Sequence, residues 1–329
     1  MKSLLNQWIE SGDKRLKTPS SSEIPAVKVT LLLVVGLLTF GFAPILVRFA
    51  TDVEALTLAA LRTFFAVLFL VPFWLPKRLP LKQLKENGAK PIWLIAAGIS
   101  LGLHFSLWIG SLHYTSVASA SVLVTIHPVM LIVVESLIFK KQFRPLVWIG
   151  VIIAFTGSVL LGFADDTQAG QFPNSLFGNI LAFSAAVIFV VYFLIGRQIR
   201  QHTEWIDYVF YVYLYAAITC VLLSLIWSGG WPYISGMAVL VGIALAIGPT
   251  IIGHGSMNYA VKYVSPTLLS TLILSEAVFA AIAAYFIFHE VPATLSIAAM
   301  LIIMLGVGFS WTRRLTRKRT ETVVETVRK

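Results

Sequence analysis

The stretch VTIHPVMLIVVESLIF, residues 124–139, is apolar enough to lie in hydrocarbon, yet it carries His127, Pro128 and Glu135. Which solvent surrounds it decides the fold. Across the 329 residues, 58% are hydrophobic and only 12% charged, and the mean hydropathy is +0.86, far from the balance of a water-soluble domain. Apolar runs at 29–47, 55–75 and 176–195 approach or reach the ~20 residues that cross ~30 Å of hydrocarbon as a helix. Strands of a membrane barrel would be about ten residues long and alternate in polarity. These runs do not alternate, so the sequence predicts an all-α integral membrane protein.

Polar breaks between the apolar runs mark ten predicted helices, at 27–49, 56–76, 91–113, 116–139, 145–163, 175–196, 207–227, 234–260, 265–288 and 292–311. Lys and Arg beside membrane spans remain preferentially cytoplasmic. With the N-terminus inside, all but two of the 25 basic residues fall in cytoplasmic segments, leaving only Arg48 and Arg62. Both termini are therefore expected in the cytoplasm. The same partition accounts for the formal charge of +10 and argues against nucleic acid as a partner. Residues 1–26, polar at the start, are read as a cytoplasmic tail without a cleavable signal; Leu4, Leu5, Trp8 and Ile9 suit either a short interfacial helix or a tail without structure. The single cysteine, Cys220, offers no internal disulfide and no cysteine metal cluster.

Sliding the chain along itself by 149 residues without a gap aligns Tyr114 with Tyr263, Ser116 with Ser265, Ser121 with Ser270 and Leu123 with Leu272. Ile138, Phe139 and Gly157 then meet Ile287, Phe288 and Gly306, and Arg48 meets Arg197. One shift serves several helices, which identifies a repeat. The predicted units are residues 27–163 and 175–311, joined by an external loop at 164–174 and followed by a basic cytoplasmic tail at 312–329. Five helices per unit place the halves in opposite orientations, a 5+5 inverted-topology repeat suited to alternating access. Channels also arise by such duplication.

The ten-helix plan, with LAALRTFFAVLFL on the second helix, SLHYTSVASASVLVTIHPVMLIVVESLIFKKQF on the fourth and WIGVIIAFTGSVLL on the fifth, resembles the EamA-type branch of the drug/metabolite transporter superfamily. GNILAFSAAVIFVVYFLIGR and VKYVSPTLLSTLILSEAVFAAIAAYFIFHE repeat the resemblance in the second half, so it covers residues 27–312. It implies transport of small metabolites, amino acids or drugs across the bacterial cytoplasmic membrane, often as export, through a cavity between the halves. Two departures stand out. Phe139, Lys140 and Lys141 replace the leucine-glycine-glutamate turn that usually ends the fourth helix, and Ala277 follows Glu276 where the family often has proline.

The shift maps His127 onto Glu276, so both are expected near mid-depth beside the pseudo-twofold axis, where inverted-repeat transporters bind substrate and coupling ions. Facing lipid, an acidic group at a helix centre would cost roughly 2.5 to 3.5 kcal/mol, so both should face a wet cavity. Glu276 is read as holding a substrate ammonium, a coupling proton, or both in competition. His127 is read either as a proton or carboxylate partner or as a helix-packing group. His104 and Trp108, with Phe105, are further cavity candidates, and Tyr192, Tyr211 and Tyr259 weaker ones. Pro128 should kink the fourth helix. In IGPTIIGHGS, Pro249, Gly253 and Gly255 should loosen the eighth around His254, as hinges or as points of close packing. Glu135 is expected at a cytoplasmic-side interface or gate, and its repeat mate is Ala284. Arg62 is expected to brace the outer mouth or attract an anionic group, or else to snorkel.

Together these readings predict a secondary active transporter, an exporter, of an amino-acid-like or amphiphilic cationic or zwitterionic solute, with proton coupling; a passive channel or facilitator is the alternative. Its partners would be the small-molecule substrate, protons and the lipid bilayer, with a homo-oligomer left open. No P-loop, no lysine pair for phosphate, and no paired acids, zinc-ligand spacing or serine nucleophile motif points to ATP use, sugar phosphates, a cofactor or enzymatic chemistry.

Overall fold

A computed structural model describes residues 26–50, 52–115, 120, 123–165, 174–289 and 294–327; most of the N-terminal tail and of the 164–174 connection, and the Glu290 turn, lie outside these residues. Among the described residues all regular structure is helical. The first half contains α1 (Ala26–Gly41), α2 (Ala43–Val47), α3 (Ala55–Trp74), the short α4 (Leu81–Glu86), α5 (Pro91–Ser111), α6 (His127–Leu137) and α7 (Pro145–Asp165). The second contains α8 (Ser175–Ile199), α9 (Trp205–Trp227), α10 (Gly236–Leu245), a π-helical segment (Ala246–His254), α11 (Gly255–Ala260), α12 (Pro266–Ile273), α13 (Glu276–Phe288) and α14 (Thr294–Val327). Six of the helical rods described are long and apolar enough to cross a membrane.

Large apolar side chains point outward, among them Leu176 at 74%, Phe286 at 71% and Leu305 at 60% exposure. Water would penalise so much exposed hydrocarbon, whereas lipid does not. With lipid outside, helices gain little from burying apolar surface and associate through close van der Waals packing at small residues. The pairing of α7 with α14 shows this. A Cβ on Gly157 would lie 2.8 Å from the Ile303 backbone nitrogen and 2.9 Å from the Ala299 carbonyl oxygen, and one on Gly306 would collide with Ala154. Gly157 and Gly306 are mates under the 149-residue shift.

Other pairings respect the same shift. The packing of α8 on α5 has its mate in α1 against the π-helical segment, while α3 with α9 and α7 with α14 are their own mates.

Four helices depart from the sequence expectation. The fourth and ninth are not continuous: turns at 125–126 and 274–275, again 149 residues apart, precede α6 and α13. Pro128 accounts for the first break because it has no N–H to give to the preceding turn. In the second, the Ser275 hydroxyl donates to the Leu272 carbonyl at 2.5 Å, offering that backbone oxygen an alternative to the helix ladder. The eighth helix keeps its course but rewinds into nine π-helical residues around Pro249. The tenth runs on to Val327, through most of the segment expected as a tail.

Candidate functional site

Both helix breaks deliver a polar side chain to one place. His127 opens α6 and Glu276 opens α13, so each stands at the N-terminal end of a half-helix. The positive end of the helix dipole favours the carboxylate of Glu276 there. The two residues line a single cavity of about 100 Å³, counted as the space that the centres of water molecules can occupy. That is room for several waters. Arg62, His104, Trp108, Pro249 and His254 line the same cavity. Ala43, Pro44 and Leu112, from the ends of α2 and α5, bound it on one side.

Aromatic rings form the walls and fix the imidazoles. His127 Nδ1 donates to the Val124 carbonyl at 2.9 Å, and its ring stands edge-on to Phe189 with centroids 4.7 Å apart. His104 Nδ1 donates to the Ala185 carbonyl at 3.0 Å and also packs on Phe189, at 5.0 Å. In the neutral ring each Nε2 then remains an acceptor. His254 stands edge-on between Phe40 at 4.8 Å and Phe105 at 5.0 Å.

Arg62 is 2% exposed, so it does not reach an interface as a snorkelling side chain would. Its Nε and Nη2 donate to Thr250 Oγ1 at 3.1 and 2.9 Å. The Thr250 hydroxyl in turn donates to the Leu245 carbonyl at 2.8 Å, five residues back, in the π-helical segment. Phe105 lies under the guanidinium, 3.9 Å from its carbon.

Glu135 is buried, at 5% exposure, but outside this cavity. Its Oε1 accepts from Lys141 Nζ at 2.8 Å, and its Oε2 accepts from the Thr267 backbone N–H at 3.0 Å and from the Thr267 hydroxyl. The acid of one half thus caps the first turn of α12 in the other, where backbone donors have no helical partner. Pro128 is buried behind His127 in α6. A Cβ on Gly253 would sit 3.1 Å from the Phe40 ring, and one on Gly255 3.1 Å from Trp205, so both glycines are points of close packing.

The tyrosine candidates divide. Tyr192 donates to Asn258 Oδ1 at 2.7 Å behind His254, whose ring is 6.4 Å away. Tyr211 instead sits edge-on to Trp74 at 5.7 Å, and Tyr259 packs beside Tyr263 with Lys28 Nζ 4.8 Å over its ring. None of the three tyrosines lines the cavity itself. Aromatic type alone could not separate a wall residue from one stacking at a helix end.

Sequence reasoning missed Phe40, Phe189 and Thr250. A signal for the first two was present, because Phe40 and Phe189 are mates under the same shift that pairs His127 with Glu276. Thr250 had none, since its partner is 188 residues away.

Comparison with known proteins agrees with this architecture. The model of the EamA-like transporter family matches residues 27–163 and 176–312. The chain belongs to the EamA-like transporter family. Its relatives in that family include the uncharacterized transporter YdfC of Bacillus subtilis, 25% identical over 60% of this chain, a match spanning 63% of YdfC's own length. The uncharacterized transporter YvbV of Bacillus subtilis is 27% identical over 86% of this chain and 91% of its own. The aromatic amino acid exporter YddG of Ancylobacter novellus is 27% identical over 58% of this chain and 69% of its own. One solved crystal structure superposes with a TM-score of 0.71 at 20% identity, over 88% of this chain and 99% of that one, a likeness of fold alone. The chain is thus an EamA-like integral membrane protein.

Proposed function

We propose that this protein is a secondary active exporter of an amino-acid-like or amphiphilic cationic or zwitterionic solute, working by alternating access. In this reading residues 27–163 and 175–311 are inverted five-helix units, forming ten membrane spans. Both termini lie in the cytoplasm of a bacterium, and the 164–174 loop outside its inner membrane. The cavity then opens toward the exterior past Ala43, Pro44 and Leu112, and the Glu135 bridge closes the cytoplasmic side.

One observation carries the proposal: His127 and Glu276, a repeat pair from opposite halves, line the same cavity. Glu276 accepts a substrate ammonium or a proton in competition, which couples export to proton entry. The aromatic walls suit an apolar side chain, and YddG, a relative, is named as an exporter of aromatic amino acids. Counterflow of labelled phenylalanine in proteoliposomes, with and without a proton gradient, tests the reading. The expected result is saturable counterflow stimulated by the gradient, with flux lowered at least about tenfold in Glu276→Gln and the stimulation lost. Unchanged flux in Glu276→Gln, His127→Ala and the double variant would overturn it.

A further inference from the structure

Arg62 is a buried cation whose only opposite charge on the cavity wall, among the described residues, is Glu276. A buried guanidinium is ordinarily paired with an anion, because removing it from water costs several kcal/mol otherwise. Here the side chain makes no ion pair among the described residues, and what holds it is uncharged: the Thr250 hydroxyl and the Phe105 ring face. Guanidinium carries five N–H donors. Thr250 takes one from Nε and one from Nη2, leaving three donors, including both on Nη1, without a protein acceptor among the described residues. The group lines the cavity, and its two bonds to Thr250 fix the plane of the fork from the opposite half of the molecule.

We propose that Arg62 is the receptor for the substrate's carboxylate, so that the solute is a free α-amino acid bound between two charges of opposite sign. This rests on the exporter reading above and narrows it. A planar fork matches a carboxylate with two parallel hydrogen bonds, which a lysine at this position would not do. Glu276 takes the ammonium from the other half. Phe40, Phe105, Trp108 and Phe189 accept an aromatic or large apolar side chain. Because the two charges belong to different halves, a bound zwitterion ties them together, whereas an amine without a carboxylate engages one half only.

The test is equilibrium binding to purified full-length protein in lipid nanodiscs, with phenylalanine, phenylalaninamide, phenethylamine and 3-phenylpropionate as probes. Wild-type protein should bind phenylalanine about ten- to a hundredfold more tightly than its amide or phenethylamine, the range expected for losing hydrogen bonds to a charged group. Arg62→Gln should abolish that preference, and Arg62→Lys should restore it in part. Thr250→Val, which keeps the charge but frees the fork, should weaken it. Glu276→Gln should instead remove discrimination against 3-phenylpropionate. Wild-type protein that binds phenethylamine or the amide as well as phenylalanine overturns the role of Arg62 while leaving the Glu276 site standing, and needs no variant to fold. Failure of wild-type protein to bind any of the four overturns both.

Discussion

Two inward-facing acids of this molecule meet opposite fates. Glu135, in α6, has both carboxylate oxygens engaged, by Lys141 on one side and by the backbone and hydroxyl of Thr267 on the other. Glu276, at the first residue of α13 in the other half, opens onto a cavity with Arg62 on its wall and retains partial exposure there. The first is a charge consumed by the protein; the second is left for something else. In a membrane, where an unpaired charge is expensive, that difference separates structure from function more sharply than residue type does.

Removing a consumed charge should cost stability. Glu135→Ala strands the first turn of α12 and Lys141, and should lower unfolding stability by about 1–3 kcal/mol, read as a drop in melting temperature of the detergent-solubilised protein. Thr267→Val removes one of the same hydrogen bonds and should cost about 1 kcal/mol on that scale. Glu276→Gln, expected to lower transport, should leave unfolding stability within about 0.5 kcal/mol of wild type or raise it; a loss as large as that of Glu135→Ala would erase the contrast. The smallest effect belongs to Tyr211→Phe and Tyr259→Phe, whose hydroxyls are away from the cavity: phenylalanine affinity should stay within about twofold in both.

The sequence was most informative where the solvent acts on long segments. Apolar runs and the polar breaks between them located the helices, and the 149-residue shift brings His127 and Glu276 together. It was least informative where a short-range competition decides the backbone. Pro128 announced the break ahead of α6, but Leu274 and Ser275 contain neither proline nor glycine, and Ala277 stands where a proline would have advertised the second break. The π-helical rewinding around Pro249 was legible as a weak point but not as the platform that presents Thr250 to Arg62. Depth along the sequence places Arg62 near a mouth, and depth is all that the sequence offers there. Its burial depends on a partner 188 residues away.

On this reading His127 and Glu276 share one aqueous cavity reached from a single side. Cys220 is the chain's one cysteine, so a Cys220→Ala background permits His127→Cys and Glu276→Cys to be labelled one at a time in oriented vesicles. A membrane-impermeant thiol reagent applied from the external face should modify both, and a single ligand of the cavity should protect both. Modification of either only by a lipid-soluble reagent, or access to the two from opposite faces, would contradict it.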